Sequence, residues 1–304
     1  MAENTDQDRV ETYRSGYVAL LGRPNVGKST LLNHLVGQKI SITAPRPQTT
    51  RDQILGILTR SDGQALFLDT PGVHSGYRSL NRHLLRATRG ALESADLGVL
   101  VVEALAWTAD DGEALRWLQR SGIPILAVVN KIDKIKTKER LFPYLQSLSE
   151  RADFAAVIPL SARKTGDVER LADVLIPLLP LSEAVFPEDQ VTDRNMRFMA
   201  AEIIREQVFR QLGAELPYDT AVAIDSYQVE NGQQRIEATI YCRRSGQKAI
   251  ILGEGGSRLR VIGSRAREAL QQLTEERVWL GLWVKQKEQW TDDPHILREL
   301  GYDD

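Results

Sequence analysis

The sequence predicts an α/β domain built on a mostly parallel sheet, followed by a smaller α+β domain. The chain has 304 residues, about twice the usual length of one domain. From residue 17 to about residue 181, short β-branched runs alternate with amphipathic stretches, a pattern typical of a parallel sheet with helices on both faces. A cluster of prolines then marks a boundary near residue 180. We therefore expect a flexible tail over 1–15, the first domain over 16–181, a linker over 182–197 and the second domain over 198–304.

The apolar periodicity predicts the elements of both domains. In the first domain the predicted strands are Val18–Leu21, Ile54–Thr59, Ala65–Leu68, Gly98–Val102, Ile125–Val129 and Val157–Leu160. Helices are expected between them, for example over Thr30–Val36, Asp111–Arg120 and Asp167–Leu179. The second domain predicts a long helix from about Met196, strands Thr220–Asp225 and Arg235–Cys242, helices Gln247–Leu252 and Ser257–Leu273, and a last strand Val278–Val284.

Composition excludes several classes of protein. With 42% hydrophobic and 26% charged residues, the chain resembles an ordinary soluble globular protein rather than a disordered chain or a disulfide scaffold. The lone Cys242 cannot form an internal disulfide and is expected in the core, and the polar, acidic start is unlike a signal or transit peptide. The most apolar stretch, residues 97–107, is interrupted by Glu103 and is too short to span a bilayer. We expect a cytoplasmic protein, with peripheral membrane attachment left open.

A phosphate-binding loop follows the first predicted strand. Residues 22–29 fit the pattern G-x-x-x-x-G-K-[ST], and a helical run begins at Thr30, which is the context that this motif requires. Backbone N–H groups of such a loop face phosphate oxygens, while Lys28 reaches the terminal phosphates and Ser29 binds Mg²⁺. The expected contacts are Gly22, Arg23, Pro24, Asn25, Val26, Gly27, Lys28, Ser29 and Thr30.

Later motifs separate a GTPase from an ATPase or a kinase. At the end of the third predicted strand, Asp69 can hold Mg²⁺ through water and the Gly72 N–H can sense a γ-phosphate. After the fifth strand, Asp133 can accept hydrogen bonds from guanine N1–H and the exocyclic amine, donors that adenine lacks in this arrangement. The stem of Lys131 can lie on the base, and the Ala162 N–H can reach guanine O6. The nucleotide site is thus expected to include Asp69, Thr70, Pro71, Gly72, Val73, Asn130, Lys131, Ile132, Asp133, Ser161, Ala162 and Arg163.

A switch segment is expected between the first two strands. Residues 41–52 are polar and contain helix-breaking prolines, so a threonine there, Thr50 rather than Thr49, is expected to close on Mg²⁺ and the γ-phosphate. The expected metal ligands are Ser29, Thr50 and Asp69.

Catalysis is less completely defined by the motifs. Many GTPases place a water-orienting Gln after the glycine of D-x-x-G, but here that position is Val73, which predicts slow intrinsic hydrolysis. Two alternatives stay open: Asn25 helps to hold a K⁺ ion or only shapes the loop, and His74 takes part or is an ordinary loop residue. The predicted catalytic set is Lys28, Thr50, Gly72 and Asn25.

The second domain contains a local basic cluster. Between Arg243 and Arg267 there are seven basic residues and one acid, a local charge of +6. They surround a G-x-x-G turn between two predicted helices, an arrangement typical of KH domains, in which the turn clamps about four nucleotides; the element order suits the type II form. A bare helix-turn-helix loop is the alternative. Expected RNA contacts are Lys248, Gly253, Glu254, Gly255, Gly256, Arg258 and Arg260, although the Glu254 carboxylate should repel phosphate. Trp279 and Trp283 fit a strand that packs on helices better than a platform on which bases stack.

Beyond these motifs the chain resembles the bacterial Era GTPases over nearly everything after the first fifteen residues. The specific stretches are GRPNVGKSTLL from Gly22, QTTR from Gln48, PEDQVTDRNMRFM from Pro187, AEIIRE from Ala201, LGAELPY from Leu212 and LWVK from Leu282. The resemblance implies a Ras-like GTPase domain joined to a type II KH domain that binds the 3′ end of 16S ribosomal RNA and acts in 30S subunit maturation. It also implies a cytoplasmic protein with a peripheral inner-membrane fraction, and hydrolysis that RNA stimulates. One departure is the acidic Glu254 in a turn where members usually carry a basic residue.

Two functions of different classes compete at this point. In the first, GTP binding orders the 41–52 segment, aligns the second domain for RNA, and hydrolysis resets it. In the second, the second domain docks on a protein or an anionic membrane under GTP control and RNA is incidental, since lipid headgroups also attract a basic cluster. Nothing in the sequence demands a dimer, so a monomer is expected.

Overall fold

The computed structural model describes residues 12–43, 54–70, 81–212 and 220–287, without the side chains of 81–87. The chain divides into two compact units, with the boundary along the chain between Asp193 and Arg194. Several predicted residues lie outside the described ranges: Thr49, Thr50, Pro71, Gly72, Val73 and His74.

The first unit is built on a six-stranded sheet in the order β2-β3-β1-β4-β5-β6. Its strands are β1 (Arg14–Leu21), β2 (Ile54–Arg60), β3 (Gly63–Asp69), β4 (Leu97–Glu103), β5 (Ile125–Asn130) and β6 (Ala156–Pro159). All neighbouring pairs are parallel except the antiparallel β2–β3 hairpin. β4 and β5 are buried along almost their whole length, which explains why they read as continuous apolar runs instead of alternating ones. The carboxyl ends of the parallel strands meet at one edge, where ligands of such sheets bind.

Five helices accompany this sheet in the described residues: α1 (Lys28–Val36), α2 (Asn81–Ser94), α3 (Ala109–Ser121), α4 (Leu141–Ser149) and α5 (Thr165–Leu175). α3 shows why these segments are helical. Its N-terminus is closed by a capping box between Thr108 and Asp111, in which the Thr108 N–H donates to Asp111 Oδ2 at 2.8 Å. Its C-terminus ends at Gly122, whose φ of 72° is a left-handed conformation that favours glycine.

The expected domain boundaries need two corrections. β1 begins at Arg14, so the predicted tail 1–15 ends too late by two residues. The predicted linker 182–197 belongs for most of its length to the first unit, because the buried Gln64 side chain bonds it. Gln64 Oε1 accepts from the N–H groups of Val185 (2.8 Å) and Phe186 (3.0 Å), and Nε2 donates to the Phe186 carbonyl at 2.9 Å. Further along, Thr192 forms a bridge with Gly56 of β2.

The second unit follows the expected order of helix, two strands, two helices and strand. Its elements are α6 (Met196–Gln211), β7 (Thr220–Glu230), β8 (Gln233–Cys242), α7 (Ser245–Leu252), α8 (Ser257–Thr274) and β9 (Arg277–Gln286). β7 and β8 are antiparallel, and β8 and β9 are parallel. The helices and the inner face of the sheet share one apolar core, which includes the fully buried Cys242, as predicted. The predicted fold class, a Ras-like α/β domain followed by an α+β type II KH domain, is confirmed.

One expectation for this unit is wrong. Trp279 and Trp283 do not pack on the helices; they lie on the outer face of β9, 40% and 45% exposed. The core instead takes Val278 and Val284 from the alternate positions. Of the helices in the described ranges, none combines the length and the hydropathy of a membrane span.

Candidate nucleotide and RNA sites

The phosphate-binding loop lies between β1 and α1, where the motif requires it. Asn25 (φ 64°) and Gly27 (φ 107°) adopt left-handed conformations that let the loop wrap closely. Lys28 is buried, and its Nζ donates to the carbonyls of Gly22 at 2.8 Å and Arg23 at 3.2 Å. Burial lowers the pKa of Lys28 from 10.5 to about 8. These two carbonyls therefore hold the ammonium group inside the loop.

The expected metal ligands Ser29 and Asp69 are brought together. Ser29 Oγ donates to Asp69 Oδ2 at 3.2 Å, and Ser41 Oγ donates to the same oxygen at 2.9 Å. Asp69 is fully buried. A buried carboxylate beside a hydroxyl is the hard oxygen donor set that Mg²⁺ prefers, so these residues fit the ion. When bound there, Mg²⁺ neutralises charge on the phosphate oxygens.

Thr70 has a structural position beside this pair. Its Oγ1 donates to the Leu20 carbonyl at 2.6 Å, and the residue is fully buried. The hydroxyl therefore ties the end of β3 to β1 and fixes the position of the preceding Asp69.

Asn130 joins three of the predicted loops. Its Nδ2 donates to the Val26 carbonyl of the phosphate-binding loop at 2.8 Å. Its Oδ1 accepts from the N–H of Lys131 at 2.7 Å and from that of Ala162 at 2.9 Å. A side chain at Gly27 would place its Cβ 2.3 Å from Asn130 Nδ2, so this close approach requires glycine. The Ala162 amide thus donates within the protein here, and its contact with guanine O6 stays a prediction.

Asp133 stays ionised at the position predicted to read guanine. A hydrogen bond with Ser161 lowers the pKa of the Asp133 carboxyl, against a smaller opposing effect of burial. The side chain is exposed, so it can accept from a base. Ile132 is half-buried and Arg163 is exposed beside it. Recognition of guanine by its two donors requires an ionised acceptor that the base can reach.

A second layer of charged residues was missed in the sequence. Glu103, at the end of β4, accepts from Lys131 Nζ at 2.7 Å and lies 3.4 Å from Arg23 Nη2. Arg23 Nε in turn donates to the buried Asp111 at 3.2 Å. Burial raises the pKa of Glu103, but the Lys131 hydrogen bond and both cations outweigh it and lower the pKa below its ordinary value. The sequence does contain one signal for this layer: Glu103 is an acid at the end of an otherwise apolar run.

The G-x-x-G turn in the second unit is shaped by its glycines. Gly253 (φ 69°), Gly255 (φ 55°) and Gly256 (φ 77°) all have left-handed backbone conformations. A Cβ at Gly253 would lie 2.9 Å from the Cβ of Arg258. The side chain of Glu254 is exposed to solvent. The turn therefore brings its backbone close to any ligand that lies against it.

Both predicted arginines bond backbone carbonyls, Arg258 across the turn to α7 and Arg260 within the turn. Arg258 Nη1 donates to the Ile250 carbonyl at 2.6 Å, and Arg260 Nη2 donates to the Gly255 carbonyl at 3.1 Å. Lys248 is half-buried on α7. Both guanidinium groups thus stiffen the turn, while Arg260 stays exposed to a phosphate.

A groove of about 350 Å³ runs beside the turn, between α8 and β9. Its lining is Gly256, Leu259, Arg260, Gly263, Ser264, Arg267, Leu280 and Leu282. The sequence analysis missed the apolar part of this lining. A lining that combines leucines with arginines suits a ligand with flat apolar faces and an anionic backbone.

Comparisons with known proteins identify both domains. A family model described as "50S ribosome-binding GTPase" matches residues 17–131, and a KH domain model matches residues 215–291. The GTPase Era proteins of Xanthomonas axonopodis pv. citri and Marinobacter nauticus are 49% and 48% identical to this chain, each over 96% of it, and are covered to 98% and 96%.

Two solved structures match almost the whole chain. One is Aquifex aeolicus Era, a variant bound to GDP and AlF₄⁻; the other is Era in complex with MgGDPNP and nucleotides 1506–1542 of 16S ribosomal RNA. Each has a TM-score of 0.89 and 35% identity, and covers 95% of this chain and 99% of its own. Because these relatives match the chain over almost its whole length, and it joins a GTPase domain to a KH domain in one polypeptide, the chain belongs to the Era family of GTPases.

Proposed function

We propose that the chain is a GTP-hydrolysing switch that binds the 3′ end of small-subunit ribosomal RNA and assists 30S subunit maturation. The observation that carries the nucleotide half is Asn130, which holds the phosphate-binding loop, the Asn130–Asp133 motif and the Ser161–Arg163 motif in one arrangement. Guanine selection is then assigned to Asp133, and the phosphates to Lys28 and the N–H groups of the loop. Mg²⁺ is assigned to Ser29 and Asp69, with Thr50 of the switch segment as its further ligand.

The RNA half rests on the G-x-x-G turn and its groove. The Gly255 N–H and the exposed Arg260 are assigned to the RNA backbone, and the leucines of the groove to the bases; the Gly256 N–H already donates to the Gly253 carbonyl at 3.2 Å. This division also explains how an acid is tolerated at Glu254: the turn presents a backbone amide, and the exposed carboxylate can turn to solvent. Support comes from the Era structure that holds 16S ribosomal RNA nucleotides.

We further propose a cytoplasmic monomer with a peripheral inner-membrane fraction. Support comes from the family relationship and from the exposed basic residues around the turn, which anionic lipid also attracts. Attachment to lipid is then secondary to RNA binding.

Fluorescence anisotropy tests the proposal. A labelled RNA with the sequence of the small-subunit 3′ end is titrated with the chain, with a non-hydrolysable GTP analogue or with GDP, and a scrambled RNA is the control. We expect sequence-dependent binding that strengthens with the GTP analogue. Equal, weak binding of both RNAs that modest salt abolishes would reduce the second unit to a nonspecific basic patch. Binding of anionic vesicles without specific RNA binding would favour membrane docking instead.

We propose in addition that Asn25 helps to hold a K⁺ ion next to the phosphates. Asn25 is exposed, and its left-handed backbone places it at the bend of the loop. An ion there supplies the positive charge that an arginine finger supplies elsewhere. GTP turnover is expected to be faster in K⁺ than in Na⁺ buffer, and Asn25→Ala is expected to remove the difference. Equal rates of the unaltered chain in the two buffers would overturn this assignment.

A further inference from the structure

The outer face of β9 carries an alternating row of cationic and aromatic side chains. Because side chains alternate along a strand, the residues that face away from the core are Arg277, Trp279, Gly281, Trp283 and Lys285. The two tryptophans are 40% and 45% exposed. β9 is an edge strand of the three-stranded sheet, and the other face of the same strand supplies Leu280 and Leu282 to the groove.

The two indoles are held together by the glycine between them. A Cβ on Gly281 would lie 2.8 Å from the Cη2 atom of Trp279 and 2.8 Å from the Cη2 atom of Trp283. Both rings therefore lean over Gly281 and meet above it. Any larger residue at this position would push the rings apart. Glycine here therefore leaves room for two adjoining rings that form one aromatic surface.

Cations lie next to the two indoles. Arg235 of β8 lies opposite Trp279 in the register, with its guanidinium carbon 4.5 Å from the ring centroid. Arg277 and Lys285 are exposed at the two ends of the row. Three acids among the described residues share this face: Glu237 lies 3.6 Å from Arg235, Asp225 accepts from Thr239, and Glu230 pairs with Gln233. They match the three cations in number, but Asp225 and Glu230 belong to β7, which is two strands away from the indoles. Rings that stack bases, beside cations that attract phosphates, are the elements of a surface for single-stranded nucleic acid.

We propose that Trp279 and Trp283 form a second RNA contact, on which nucleotides that leave the G-x-x-G groove stack. The proposal rests on the proposed RNA binding and extends it. RNA that is bound in the groove lies against the inner face of β9. Where the RNA continues around the edge of the sheet that β9 forms, its next bases reach the two indoles on the outer face. A lipid surface fits less well: more than half of the surface of each tryptophan residue is covered, and the outer row of β9 contains no aliphatic side chain that could insert.

The test compares a short and a long RNA on the full chain. An RNA of about five nucleotides fills the groove, and one of about twelve reaches past the edge of the sheet. Trp279→Ala with Trp283→Ala is expected to weaken binding of the long RNA at least about 20-fold, since each stacked base contributes about fivefold or more. Binding of the short RNA stays unchanged. Val229→Ala, at an exposed position of β7, is the matched control and should change neither.

A second pair of variants separates stacking from folding. Trp279→Phe with Trp283→Phe keeps aromatic rings and is expected to retain most of the affinity for the long RNA. Unchanged long-RNA affinity in the alanine variant would overturn the proposal while leaving the groove intact. Loss of binding to anionic vesicles with RNA binding unchanged would also overturn it and assign the surface to membranes. Failure of the unaltered chain to bind the short RNA would overturn the proposed function itself.

Discussion

At the nucleotide site the side chains hold one another in place, whereas at the G-x-x-G turn the backbone itself provides the shape. Asn130 bonds two neighbouring loops in addition to its own, and Glu103 bonds Lys131 and approaches Arg23. At the turn, Arg258 and Arg260 bond carbonyls only a few residues away, and three glycines set the path. The first arrangement suits recognition of one small ligand by fixed donors and acceptors. The second suits a long ligand that is recognised by its backbone and its flat bases.

The largest expected effect comes from removing the residue that joins the loops. Asn130→Ala deletes three hydrogen bonds and leaves the Val26 carbonyl and the Ala162 amide without this partner. We expect GDP affinity to fall about 100-fold or more, since hydrogen bonds contribute about 1 kcal/mol each and unmatched buried groups cost more. A fluorescent GDP titration measures it.

Gln64→Ala is the matched control for this variant. Gln64 is fully buried and its side chain bonds Val185 and Phe186, away from the nucleotide loops. Both variants are expected to lower the free energy of unfolding by about 2–4 kcal/mol, but only Asn130→Ala should lose GDP affinity. Nucleotide binding by Asn130→Ala at the level of the control would break the contrast between the two sites.

The next effect is a backbone effect at the turn. Gly253→Ala forces an alanine into a φ of 69° and a Cβ to 2.9 Å from that of Arg258. We expect RNA affinity to fall about tenfold, consistent with a strain of about 1–2 kcal/mol, with GDP affinity unchanged. Gly246→Ala, in α7 with open space around its Cβ, should leave RNA affinity as it is. Equal losses in both variants would show that the turn's conformation is not what matters.

A smaller effect is expected at Glu103. Glu103→Gln removes the charge that pairs with Lys131, whose stem we expect to lie on the base. GDP affinity should fall roughly fivefold because a charge-assisted hydrogen bond becomes a neutral one. The folded-state pKa of Glu103 lies below its ordinary value of 4.5. Its stabilising contribution is therefore complete above that value and is lost as the pH falls through the lower folded-state pKa.

The pH dependence supplies the check on this assignment. Unfolding of both proteins in denaturant is followed from neutral to acidic pH. The stability difference between the unaltered chain and Glu103→Gln should be constant at neutral pH and should shrink only under acid conditions. A difference that instead changes between pH 6 and 8 would contradict the assignment.

The smallest effect concerns one phosphate contact. Arg260→Gln should weaken RNA binding severalfold and reduce the slope of log affinity against log salt by about 0.7, the value for one contact to a single strand. Arg120→Gln, an exposed arginine at the end of α3, is the control and should leave the slope unchanged. An unaltered slope in Arg260→Gln would remove Arg260 from the RNA contacts.

Most of the fold followed from local patterns. The runs at Val18, Ile54 and Ile125 predicted strands because β-branched residues at buried positions extend the backbone, and the structure lengthens each by only a few residues at its ends. The motifs at residues 22–29 and 130–133 predicted the nucleotide site because the chemistry needs those residues at fixed short spacing.

Two kinds of feature could not be predicted from the sequence: contacts between residues far apart along the chain, and the choice of which face of a strand is covered. Gln64 meets Val185 from 121 residues away, and Arg23 meets Asp111 from 88 residues away, so no local pattern links them. In β9 both faces are apolar, Trp279, Trp283 on one and Leu280, Leu282 on the other, and alternation alone cannot say which face packs on the helices.

GTP turnover with and without RNA tests whether the two sites act together. The unaltered chain is assayed alone, with the small-subunit 3′-end RNA and with the scrambled RNA, and Gly253→Ala is assayed alongside. We predict slow turnover that only the specific RNA stimulates, and loss of that stimulation, but not of basal turnover, in Gly253→Ala. Turnover that the specific RNA leaves unchanged would contradict a GTP switch linked to RNA.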